Sequence, residues 1–171
     1  MSLNGLVTIV LTVMATWVPV STHHYYEPTE TTVKRYVAIA TDIVEIVEAD
    51  EGERIENVRM EALLLASIAS YESFFHADVD RCKRGLGGAW SVFQIAGGGK
   101  RSKKRICMDR KEAVRVALEM VRESFRECER LPFLDRLSFY TDGRCNKNWE
   151  RSRLRVKRAM NFETAHDSTA S

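Results

Sequence analysis

The stretch from residue 57 to 75 (NVRMEALLLASIASYESFF) constrains the fold more than any other part of the chain. It carries Leu63, Leu64, Leu65, Ile68 and Ala69 and is the most apolar segment beyond the N-terminal run. A helix this apolar has to be buried, so the rest of the chain must supply partners for it. Four further segments read as helices. Residues 33–49 place Val37, Ala40, Ile43, Val44 and Val47 at helical spacing, and Asp50-Glu51-Gly52 ends that run. Residues 109–128 put Val114, Ala117, Leu118, Val121 and Phe125 on one face, with Asp109 as a plausible N-cap. Residues 131–140 form a short helix after Pro132, and 148–162 make the last amphipathic segment. A long glycine-containing loop covers 78–108. Apart from an ambiguous run at 6–13, no segment alternates with period two, so the class is mainly α.

The 171 residues suffice for one domain with its own core. Apolar residues make up 44% and charged residues 29%, the balance of a globular protein. A formal charge of +2 is too mild to argue for nucleic acid and is compatible with docking on an anionic polymer. The distribution is uneven: no Lys or Arg precedes Lys34, and basic residues cluster at 100–105 and 151–158. Each cluster reads either as a solvated face or as an attraction for an anionic polymer.

Residues 5–20 (GLVTIVLTVMATWVPV) are uncharged and apolar, and shorter than a membrane-spanning helix. Residues 1–22 are accordingly an export signal, an uncleaved anchor giving membrane association, or a buried N-terminal element. Residues 23–32 follow as a polar linker, 33–162 as the folded domain and 163–171 as a flexible tail. His23 and His24 lack companions at metal-ligand spacing, and no metal or cofactor is expected.

Cys82, Cys107, Cys128 and Cys145 form an even set with no CxxC spacing. In an exported chain two disulfides are the economical reading, and of three connectivities we expect the sequential one, 82–107 and 128–145. Four reduced thiols are the alternative for a cytosolic protein.

One charged group lies on the apolar stripe. Glu72 follows Leu65 by seven residues, Ile68 by four and Ala69 by three, which puts it on the core-facing side. Desolvation there, and the negative end of the helix dipole, favour its protonated form. A protonated carboxyl in a cleft wall is what a general acid requires.

Residues 66–74 read ASIASYESF, and Glu72-Ser73-x-Phe75 or Glu72-Ser73-Phe74 resembles the E-S-x-F helix end of the lytic transglycosylases in the lysozyme superfamily. Gly88-Ala89-Trp90-Ser91-Val92-Phe93-Gln94 resembles that family's G-A-x-G-L-M-Q loop, with Ser91 in place of a glycine. Phe139-Tyr140-Thr141-Asp142-Gly143 resembles its A-Y-N-A-G segment, keeping Tyr140 and Gly143. Together the matches span about residues 31–161.

The resemblance implies a lysozyme-like helical domain with a catalytic cleft and a peptidoglycan glycan strand as substrate. Glu72 would protonate the bond between N-acetylmuramic acid and N-acetylglucosamine, then act as base on the muramoyl 6-hydroxyl to leave a 1,6-anhydro end. Ser73 would hold the substrate or the helix end. Gln94 would contact a sugar, and Tyr140 would hydrogen-bond the Glu72 carboxyl. Phe93 and Trp90 would offer apolar surface or serve the core. A monomer exported to the periplasm or outside the cell, or carried on a phage virion, fits that activity.

Glycosidases with two carboxylates hold them about 5–5.5 Å apart when retaining and about 6.5–9.5 Å when inverting. Asp78, Asp80 and Asp142 are the candidates for a second one. Without it, the substrate's own N-acetyl group assists, which favours the transglycosylase. A hydrolytic muramidase and a non-catalytic peptidoglycan-binding module are the alternatives.

Overall fold

A computed structural model describes residues 2–83, 89–96 and 103–167, the side chains of 163–167 excepted. Gly88, the glycines at 97–99 and the first part of the 100–105 basic cluster lie outside the described residues. The chain is mainly α-helical. Helix α3 (Val58–Ser73) is the core, with every residue from Met60 to Ser70 buried. Asn57 caps its start by accepting a hydrogen bond from the Met60 amide at 2.8 Å. Around it pack α1 (Leu3–Trp17), α2 (Thr29–Ala49), α6 (Arg110–Glu127) and α8 (Glu150–Asp167). Asp109 caps α6 as its position suggested, accepting from the Glu112 amide at 2.6 Å.

The N-terminal run is part of this core. Leu6, Val10, Val13 and Met14 of α1 are at most 1% exposed and face α2 and α3. Among the described residues no helix is long and apolar enough to cross a membrane. The expected linker is also structured. Val20–His23 is a 3-10 turn, and α2 begins at Thr29, earlier than apolar spacing showed. His23 is buried, with its Nε2 2.9 Å from the Tyr36 hydroxyl, which in turn donates to the Val18 carbonyl at 3.0 Å.

The loop region contains short elements: α4 (Ala77–Asp80), a hairpin of β1 (Ala89–Trp90) and β2 (Ile95–Ala96), and α5 (Lys103–Ile106). The expected helix at 131–140 is instead a 3-10 turn, Phe133–Asp135, followed by α7 (Ser138–Asp142). Helix α8 runs on to Asp167, beyond the boundary at 162. Disulfides join Cys82 to Cys107 and Cys128 to Cys145, the sequential pairing. The first ties α4 to α5; the second ties the end of α6 to the segment after α7. Loops of this length stabilise by about 3 kcal/mol each in the chain-entropy model.

Candidate active site

Glu72 sits one residue from the end of α3, where the helix leaves the core. Its side chain is 25% exposed and lines a cleft of about 620 Å³. The backbone turns away immediately after it through two consecutive left-handed residues, Phe74 at φ 50° and Phe75 at φ 54°. Such geometry costs about 1–2 kcal/mol per non-glycine residue and persists only where surroundings over-determine it. Those surroundings are specific. Ser73 Oγ donates to the Ala69 carbonyl at 2.8 Å and accepts from the Phe75 amide at 3.0 Å. Arg35 Nε donates to the Phe75 carbonyl at 3.0 Å, and the buried Phe75 ring meets Tyr36 edge-on at 5.0 Å. Ser73 is 3% exposed with both hydrogen-bonding functions used, so it secures the helix end. Of the two roles the resemblance allowed, that is the one its geometry serves.

The partner of Glu72 is Arg155 of α8, whose Nη2 donates to Oε1. Arg155 is 7% exposed in its side chain, donates through Nη1 to the Arg151 carbonyl at 2.6 Å, and stacks over Tyr71 at 5.1 Å. Arg158 covers the same ring at 4.3 Å. The sequence reading missed Arg155, treating 151–158 as a solvated or wall-binding face. It lies 83 residues from Glu72, and no local signal joins them.

The second strained turn is the motif loop. Ser91 has φ 63° and Gln94 φ 47°. The resembled family has a glycine at the position of Ser91, and a left-handed φ is what a glycine adopts without cost. Ser91 reaches it with help from its own side chain, which accepts from the Phe93 amide at 3.3 Å. Gln94 Nε2 donates to the Ser91 carbonyl at 2.8 Å, closing the turn on itself.

Phe93 takes the core role of its two alternatives, and Tyr140 departs from the role expected of it. Phe93 is fully buried, so its ring serves the core and offers a glycan no surface. Tyr140 donates its hydroxyl to the Phe93 carbonyl at 3.0 Å, where a bond to Glu72 was expected. Tyr140 is nevertheless electrostatically coupled to the site. Burial first, and then the Glu72 charge, push its phenol above the ordinary range, with Arg155 opposing. Gly143 supplies the left-handed cap of α7 at φ 68°, which accounts for the glycine in that motif. Tyr140, Phe93 and Gln94 thus form one cluster, and they are not among the described residues lining the Glu72 cleft. Trp90 is half-buried against the core, with the Lys103 ammonium 3.7 Å from its ring centre.

Of the candidate second carboxylates, Asp78 lines the same cleft as Glu72. Asp80 is bound by Arg110 through two bonds of 2.8 Å and holds the fold. Asp142 is exposed and accepts from Asn146. Among the described residues no group of three or more His, Cys, Asp or Glu could hold a metal ion. Comparison with protein-family models, curated proteins and solved structures returns no match.

Proposed function

We propose that the chain is a lytic transglycosylase that cleaves the β-1,4 bond between N-acetylmuramic acid and N-acetylglucosamine in peptidoglycan. The observation that carries this reading is Glu72, a carboxylate at a strained end of the core helix in the wall of an open cleft. Glu72 protonates the glycosidic oxygen. The resulting carboxylate then takes the proton of the muramoyl 6-hydroxyl as that oxygen closes on C1. The two disulfides favour an oxidising compartment, in keeping with export or a virion. No cofactor enters the chemistry.

Arg155 sets a condition on this cycle. Its guanidinium occupies Oε1 of Glu72, so an entering glycan has to displace it before that oxygen can reach the glycosidic bond. The same ion pair favours a second reading, a peptidoglycan-binding module in which Glu72 is structural. Digestion of purified peptidoglycan followed by mass spectrometry separates the readings. The transglycosylase releases fragments one water lighter than those with reducing ends. Fragments with ordinary reducing ends would indicate a hydrolytic muramidase, and binding without release would indicate the module.

A further inference from the structure

We propose that the cleft beside Glu72 is a subsite for two units of a β-1,4-linked N-acetylamino-sugar strand, with Tyr26 and Phe74 as its stacking faces and Arg35 as its buried donor. Tyr26 and Arg35 lie outside the motifs that singled out Glu72, and Phe74 lies within one without an assigned role. Three aromatic side chains are exposed among the described residues: Tyr25 at 83%, Tyr26 at 78% and Phe74 at 59%. Two of them, Tyr26 and Phe74, line this one cleft. Exposed aromatic rings are costly to leave in water unless something covers them, and the flat C–H face of a pyranose is a natural cover.

Both rings are held in place. The left-handed backbone at Phe74 turns its side chain outward while Phe75 enters the core. Tyr26 meets His76 edge-on at 5.7 Å, and His76 meets the buried His23 at 5.2 Å. A preformed platform loses little freedom on binding.

The polar side of the cleft fits a neutral, hydroxyl-rich ligand. Arg35 is 6% exposed; its Nε is bound to the Phe75 carbonyl and its Nη1 is paired with Glu27. Its Nη2 is buried, meets no acceptor among the described residues, and belongs to a side chain lining the cleft. A buried donor left unsatisfied costs about 1–3 kcal/mol, and a sugar hydroxyl or amide carbonyl would satisfy it. The charges nearly cancel. Glu27 bridges Arg35 and, at 3.6 Å, Arg81, Glu72 is held by Arg155, and Asp78 adds a third carboxylate against the three arginines. The volume of about 620 Å³ lies within the range of small-ligand sites.

The choice of sugar rests on the proposed function; the aromatic platform does not. The test is calorimetric titration with the N-acetylglucosamine tetramer. Wild type should bind. Tyr26→Ala and Phe74→Ala should each weaken binding about tenfold with unchanged melting temperature, while Tyr25→Ala, outside the cleft, should bind as wild type does. Failure of wild type to bind, or equal affinity in all variants, would overturn the subsite. Retained binding in Glu72→Gln together with retained lysis would leave the subsite standing and remove the transglycosylase reading. Lysis lost in Glu72→Gln with affinity unchanged in the two cleft variants would do the reverse.

Discussion

Glu61 and Glu72 stand on the same helix, and their surroundings give them different work. Glu61 is fully buried, yet Arg122 grips it through bonds of 2.8 and 2.9 Å, Arg54 adds one of 2.9 Å and the Ile55 amide one of 3.1 Å. Burial pushes its carboxyl up, and the Arg122, Arg54 and Ile55 bonds outweigh that, leaving it below the usual range. Arg122→Ala should cost about 1.5–3 kcal/mol, because it leaves the buried Glu61 carboxylate with Arg54 and the Ile55 amide alone; chemical denaturation at neutral pH measures this. His23 supplies the acid sensitivity. Burial, with Arg35 and His76 adding to it, lowers its pKa from 6.5 to about 4. The unfolded chain therefore binds the proton more readily than the folded one. The stability from neutral His23 is complete above about pH 6.5 and is lost as pH falls towards 4, by up to about 3 kcal/mol. Denaturation curves at pH 7 and pH 4.5 should show this drop in wild type and a smaller one in His23→Gln.

At the scale of elements, α1 is the one whose role the amino acids left open. An uncharged apolar run suits a signal, an anchor or a buried helix equally. Leu6, Val10, Val13 and Met14 meet α2 and α3. Each such side chain contributes about 1.5–3 kcal/mol on burial. A chain starting at residue 23 should therefore lose cooperative unfolding, which a calorimetric scan against the full chain would show. The core helices were legible because their apolar spacing repeats over several turns, and Asn57 and Asp109 mark their starts. The 78–108 region was not, since α4 and α5 have four residues each and each strand has two. Periodicity needs longer runs than that. In the site, Glu72 stood out as a charge on an apolar stripe. Arg155 could not, because its pairing comes from α8 packing on α3. The left-handed turns at Phe74, Phe75, Ser91 and Gln94 carry no glycine to announce them.

For the molecule as a whole, the core helix emerges from four packed neighbours into a cleft, and its last turn presents one carboxylate there. The Cys82–Cys107 disulfide follows directly on the segment that lines that opening, and the strained turn at Phe74 and Phe75 borders it. Strain of this kind concentrates where function requires a fixed geometry, and the central claim is that Glu72 is the acid and base that uses it. The direct measurement is lysis of purified peptidoglycan by wild type and by Glu72→Gln, with circular dichroism to show that both are folded. We expect release of anhydro fragments by wild type and none above background by the folded variant. A folded Glu72→Gln that releases fragments at the wild-type rate would contradict the claim.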